Sequence, residues 1–222
     1  MPREDFDQEL QALQSSLLNM SVMVDRAVGK AVEALTNRDL ELAQQMIAED
    51  KLINESERDI VERCLVLIAT QQPMASDLRI ILSIFSIASE LERMADHAEG
   101  IAKLALLLGD QPLLKPLIDI PKMAKQGRHL LKEQMQAFLD HDADRSRELS
   151  AQDDVVDDLY AQIYHELLGI MVKAPDTVQR ATYLLWVAHN LERISDRTTN
   201  IGEHVVFLTT GRVEDLNPTT GR

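Results

Sequence analysis

The chain has one cysteine, Cys64, in 222 residues. A lone thiol excludes an internal disulfide framework and a cysteine-based zinc site. Aromatic residues make up only 4%, with a single Trp, and there are 8 Gly and 7 Pro. Sandwiches and barrels need aromatic and β-branched strands and many turns, so this composition argues against them. Long apolar runs are also missing. The longest, near Ile80 to Ala88, is broken by Ser83 and Ser86 and is too short to span a bilayer. The stretch Met1 to Leu10 is acidic and has no apolar core, so no secretory leader is expected there. Basic charge is scarce, with 23 Lys and Arg against 37 Asp and Glu, a formal net charge of −14. That balance argues against nucleic acid as a direct partner and against a basic helix lying on anionic lipid. The expectation is a cytoplasmic protein with no transmembrane segment.

What remains is material for long helices, with 45% hydrophobic residues, enough to bury a sizeable core. Leu10, Leu13, Leu17, Met20, Val24, Val28, Ala31 and Leu35 recur at steps of three and four, which puts them on one helical stripe. Asn37 is read as the cap of a second helix over about Asp39 to Ala69. Pro73 is read as the first turn of a third helix ending at Leu108, before Gly109-Asp110-Gln111-Pro112. A fourth helix is expected from about Met123 to Leu139 and a fifth from about Asp144 to Met171. Ala174-Pro175-Asp176 opens a sixth, which runs to Gly211. The polar tail from Val213 to Arg222 is expected to fray. Short connections between long helices imply antiparallel neighbours. The predicted fold is all-α: two tandem three-helix bundles, six long antiparallel helices in all, divided into residues 1–110 and 111–222.

The two halves repeat. Leu91-Glu92-Arg93-Met94-Ala95-Asp96 lines up with Leu191-Glu192-Arg193-Ile194-Ser195-Asp196, one hundred residues later. Asp50, Ile53, Asn54, Glu57 and Ile60 line up with Asp153, Val156, Asp157, Tyr160 and Ile163. Apolar matches alone would mean little, because any two helices share them. Polar identities held in register are much harder to obtain by accident.

Glu92 and Asp96 lie four apart on one helical face, where like charges cost about 0.2–0.5 kcal/mol. Glu99 extends that stripe, and Asp50, Asn54 and Glu57 form a second one on the preceding helix. Facing stripes would converge oxygen ligands suited to hard cations such as Mg or Mn, and carboxylate clusters also hold iron or zinc. The competing reading is a solvated ladder of ion pairs, Arg93 with Asp96 and Arg193 with Asp196. No Glu has His three residues on, against a di-iron bundle site, and the six His form no HExxH pattern. His97 and His204 lie near the acidic stripes. No phosphate-binding glycine loop or nucleophile elbow is present, so the sequence gives no argument for an enzyme.

Two stretches carry a family resemblance. Cys64-Leu65, with Ile68-Ala69-Thr70-Gln71-Gln72-Pro73-Met74-Ala75-Ser76-Asp77-Leu78-Arg79, resembles the hallmark segment of the PhoU family of phosphate-transport regulators. The segments at Leu91 to Ala98 and Leu191 to Arg197 resemble its two Glu/Asp-x-x-x-Asp motifs. The likeness covers about residues 5 to 210. It implies a two-bundle, non-catalytic, metal-binding negative regulator of the phosphate-starvation response. Its implied partners are the ATPase subunit of a phosphate ABC transporter and a phosphate-sensing histidine kinase, which would place it at the inner face of the membrane. A homodimer is expected. By the same likeness Glu92, Asp96, Glu192 and Asp196 are metal-site residues, with Asp50, Asp153 and Asp157 as further candidates for Mg, Mn, Fe or Zn. The first motif departs from the family pattern at Glu99-Gly100-Ile101, and Asn54 stands opposite an acidic Asp157. The alternatives are a metal-dependent phosphoester hydrolase and a purely structural helical scaffold.

Overall fold

The computed structural model describes residues 3–217, and it is helical almost throughout. The elements are α1 (Arg3–Asn37), α2 (Leu40–Gln71), α3 (Ser76–Leu108), α4 (Asp119–Asp140), α5 (Ala143–Ser150), α6 (Asp154–Lys173) and α7 (Val178–Thr210). A single 3-10 turn over Pro175–Thr177 leads into α7. Six helical rods form two up-down-up units, as the periodicity predicts. The fifth rod is interrupted at 151–153 and so comprises α5 and α6. No helix among the described residues is long and apolar enough to cross a membrane.

The turns follow local chemistry. Arg38 takes a left-handed φ of 56° and turns the chain, so Asp39 rather than Asn37 caps α2. The Asp39 carboxylate accepts a hydrogen bond from the Leu42 backbone N–H at 2.9 Å, satisfying a donor that the helix cannot. The second unit repeats the device: His141 has φ 52° and Asp142 accepts from the Arg145 N–H at 2.9 Å. Pro175 opens its 3-10 turn as expected, but Pro73 does not begin α3. Gln72 and Ala75 flank it at φ 48° and 49°, outside helical geometry, so the helix starts only at Ser76.

α3 and α7 are the central pair. α1 packs on α4 beside them, α2 covers α1 and α3, and α6 covers α7 and α4. Gly100 of α3 lets the central helices approach closely, since a Cβ there would sit 3.3 Å from Asn190 Oδ1 of α7. Two of the polar pairs that cross between them are equivalent in the repeat. His97 Nδ1 lies 2.9 Å from Asn190 Oδ1, and Arg197 Nη1 lies 3.3 Å from Glu90 Oε2. Positions 97 and 197 are equivalent in the repeat, as are 90 and 190, so the two units meet across a pseudo-twofold axis. The Asn190 amide donates to the Trp186 carbonyl at 2.8 Å, which turns its oxygen to His97, so His97 Nδ1 carries the hydrogen. Burial lowers the His97 pKa and favours the neutral ring. A second bridge between units, on the α1–α4 side, is the bidentate pair of Arg128 with Asp25, at 2.7 and 2.8 Å.

The connection from α3 to α4 is pinned rather than loose. Arg38 and Arg180 donate to the Asp110 and Pro112 carbonyls, and Lys115 pairs with Glu166. The tail is also held as far as it is described. Arg147 grips Glu214 through two bonds of 2.9 Å, and the Leu216 N–H donates to Glu203. The remainder of the segment expected to fray, 218–222, lies outside the described residues.

One buried network joins α5 to α4. Ser146 Oγ donates to Gln134 Oε1 at 2.8 Å, Gln134 Nε2 donates to the Ser146 carbonyl at 3.1 Å, and Ser150 Oγ donates to the same carbonyl at 3.0 Å. Gly202 of α7 lies against this network: a Cβ there would sit 2.7 Å from Gln134 Nε2 and 2.8 Å from Ser150 Oγ. Gly202→Ala is therefore expected to destabilise the protein by about 1–3 kcal/mol, because the network must shift or break. Urea unfolding followed by circular dichroism checks this, with Gly169→Ala as a control, since nothing crowds a Cβ at that site.

Candidate metal centres

Each unit gathers carboxylates from its second and third helices. In the first, one carboxylate oxygen each from Asp50 of α2 and from Asp96 and Glu99 of α3 lie within 4.8 Å of one another. In the second, Asp153 at the α5–α6 break, Asp157 of α6 and Asp196 of α7 do the same. Helical spacing contributes to the convergence, since Asp96 and Glu99 are three apart on α3, and Asp153 caps α6 one turn before Asp157.

Each cluster has one buried carboxylate, Asp50 or Asp153; Glu99, Asp157 and Asp196 are half-buried and Asp96 is exposed. Asp50 is 7% exposed and Asp153 5%. Asp50 Oδ1 and both oxygens of Asp153 are buried without a hydrogen-bond partner, as are the Asn54 amide oxygen and the hydroxyls of Ser195 and Thr199. Leaving such groups unsatisfied costs about 1–3 kcal/mol each, more when charged. Burial first, then Glu99 and Asp96, raises the Asp50 pKa. Burial pushes Asp153 up to about 6, reinforced by Asp157 and Glu192 and opposed by the nearby Ser195 hydroxyl. Burial and Glu192 push Asp196 up to about 7, against the pull of Arg193. Repulsion and orphaned oxygens are both relieved by a bound cation, so this donor set fits a hard, oxygen-preferring metal ion.

The candidates named from sequence take different places. Asp50, Asp96, Asp153, Asp157 and Asp196 fall inside the two clusters. Glu92 stands beside the first: burial, then Asp96, Glu57 and Asp50, raises its pKa. Glu192 is gripped by Arg193 through bonds of 2.8 and 2.9 Å, with His189 at 3.4 Å. Arg193 also reaches Asp196 at 3.0 Å. His97 is spent on the contact between units, and His204 offers its carbonyl to Ser83. Glu99 belongs to the first cluster although the motif does not include it; its position one turn past Asp96 was the available signal. Ser195 lies beside Asp153 of the second cluster, and Thr199 takes the repeat position equivalent to Glu99; nothing in the sequence separates either from an ordinary core hydroxyl.

This architecture has solved counterparts. The structure matches the crystal structure of the phosphate transport system regulatory protein PhoU from Streptococcus pneumoniae with a TM-score of 0.88 and 34% identity, over 95% of this chain and 99% of that one. It matches PhoU from Pseudomonas aeruginosa at 0.87 and 36%, over 93% and 100%. The family model for the PhoU domain matches twice, at residues 17–105 and 120–205. The chain belongs to the PhoU family. The phosphate-specific transport system accessory protein PhoU homolog of Clostridium acetobutylicum is 36% identical over 218 residues, 98% of this chain and all of that protein. Its counterpart in Aquifex aeolicus is 37% identical over 205 residues, 92% and 93% of the two chains. The paired matches separate α1–α3 from α4–α7, the same partition as the pseudo-twofold axis.

Proposed function

We propose that this chain is a non-catalytic accessory regulator of phosphate transport whose two units, residues 1–110 and 111–222, each bind metal. The observation that carries the metal part is the pair of carboxylate clusters with buried, unpartnered oxygens. Family membership supports the rest: the matched relatives are named as accessory and regulatory proteins of phosphate transport. In this reading the protein works at the inner face of the membrane as a homodimer. It docks on the ATPase subunit of a phosphate ABC transporter and on a phosphate-sensing histidine kinase, and it represses the starvation response. Asp50, Asp96, Asp153, Asp157 and Asp196 hold Mg, Mn, Fe or Zn, with Glu92 and Glu192 beside them. The cation screens carboxylate repulsion and keeps α2 against α3 and α6 against α7, which fixes the surface presented to partners.

The test compares the parent protein with Glu92→Ala/Asp96→Ala and Glu192→Ala/Asp196→Ala. Elemental mass spectrometry after reconstitution should show stoichiometric metal in the parent and loss from one unit in each variant. Kinase pull-down and a starvation-responsive reporter should weaken in parallel. Full repression by a metal-free variant would remove metal from the mechanism. Phosphoester turnover that disappears in the same variants would replace the adaptor with a hydrolase.

A further inference from the structure

The two centres are built from different residues at equivalent positions. In the first, the α2 position one turn after Asp50 is Asn54, a neutral amide; in the second it is Asp157. One turn past the motif aspartate the pattern inverts, with Glu99 in the first unit and Thr199 in the second. The close carboxylates follow the exchange: Glu99 completes the first cluster and Asp157 the second. The neutral member of each set keeps an oxygen without a partner. Asn54 Nδ2 donates to Asp50 Oδ2 at 3.0 Å, which leaves its amide oxygen buried and unpartnered. Thr199, 1% exposed, has a hydroxyl oxygen in the same state.

We infer that Glu99 supplies the ligand that Asn54 does not, and that Thr199 and Asp157 hold the same two roles exchanged. Each unit then offers a divalent cation three carboxylates and one neutral oxygen. The inference rests on the metal-binding reading above. It has a physical basis in charge: hard cations select oxygen sites by the number of anionic ligands, and a carboxylate moved from one helix to the facing one keeps that number. Either the α2 position or the α3 position carries the third charge. Lys103, 2.5 Å from Glu99 and 56% exposed, holds that carboxylate at the solvent edge without burying its own charge.

The exchange is testable in the full chain with Mn(II) as the probe. Asp153→Asn/Asp196→Asn silences the second centre, and electron paramagnetic resonance then counts free and bound Mn(II) at the first. In that background Glu99→Thr should weaken binding on the order of tenfold or more. Adding Asn54→Asp should restore it to within about threefold of the background protein, the mark of coupled positions in a double-mutant cycle. Circular dichroism on the same samples confirms folding, and Glu99→Gln serves if Glu99→Thr does not fold. Mn(II) binding unchanged by either Glu99 substitution, or no recovery on adding Asn54→Asp to a folded protein, overturns the exchange while leaving the metal centre in place. No Mn(II) binding by the parent chain overturns the centre and the exchange together.

Discussion

Stripped of divalent cations, the protein is expected to lose stability as pH rises from 5 to 8, and saturating Mn(II) should abolish most of that loss. The sign follows from linkage. Asp153 and Asp196 have carboxyls pushed up to about 6 and about 7 in the folded chain, from a usual value of 3.8. Between about pH 4 and pH 7 the folded state therefore holds more protons than the unfolded state, and unfolding free energy falls as pH rises. Below pH 4 both states are protonated and the penalty vanishes. Above pH 7 both are ionised and the penalty is complete. One pKa unit corresponds to about 1.4 kcal/mol, and the two groups are coupled, so the combined effect is on the order of a few kcal/mol. At about 2–4 °C per kcal/mol for a chain of this size, the melting temperature in chelator should drop by on the order of 10 °C. A cation reverses the sign of the local field, so the loaded protein should show a flatter profile. Thermal melts at constant ionic strength, with chelator or with Mn(II), read both curves. His97 and His204, whose pKa values burial lowers, act in the opposite direction near the ordinary imidazole value. The deciding comparison is therefore with Asp153→Asn/Asp196→Asn: a chelated parent whose profile falls no more steeply than that variant's would contradict the burial assigned to Asp153 and Asp196. Asp153→Asn should flatten the chelated curve by removing one of the two groups.

Leu191→Ala is expected to destabilise the protein by about 2–5 kcal/mol, among the largest effects available to one substitution. Leu191 is 1% exposed and sits in α7, the helix that packs on α3, α4, α5 and α6. Truncation removes three carbons from a site that surrounding rods cannot collapse around, so transfer and cavity costs add. Leu91, 0% exposed at the equivalent place in α3, should behave alike. By contrast Asp25→Ala removes a bidentate pair with Arg128, but the Asp25 carboxylate is 34% exposed, and about 1 kcal/mol or less is expected. Urea denaturation of the three variants ranks them. Equal losses would mean that the ion pair between α1 and α4 contributes as much as this core packing. Leu191→Ala also separates two readings of the motif: metal content per folded chain should stay at the parent value, because the leucine faces the core while Asp196 faces α6.

The sequence by itself determined the number and type of rods, the repeat and the helix faces that carry the acidic residues. These follow from local rules. A 3.6-residue period places Leu91 and Met94 on the buried side and Asp96 and Glu99 on another, whatever the neighbours are. Local chemistry also gave the stops at Gly109 and Gly211, which take the positive φ that their turns require. Cap positions were less legible. Asn37 and Asp39 are both good capping residues, and the choice fell to Asp39 because Arg38 adopts a left-handed turn. The break at 151–153 was not legible at all. Beside it Gln134 of α4 and Gly202 of α7 meet Ser146 and Ser150, partners 12 to 56 residues away from them in the chain. The centres divide in the same way. Spacing along one helix can say that Asp96 and Glu99 share a face, but only the packing of α2 on α3 brings Asp50 within reach of both. Which carboxylates are buried, and which feel the charges of a facing helix as Asp50 feels Glu99 and Asp96, is set by desolvation and by the packing of one helix on another. Those are properties of the assembled fold, and no window of the sequence contains them.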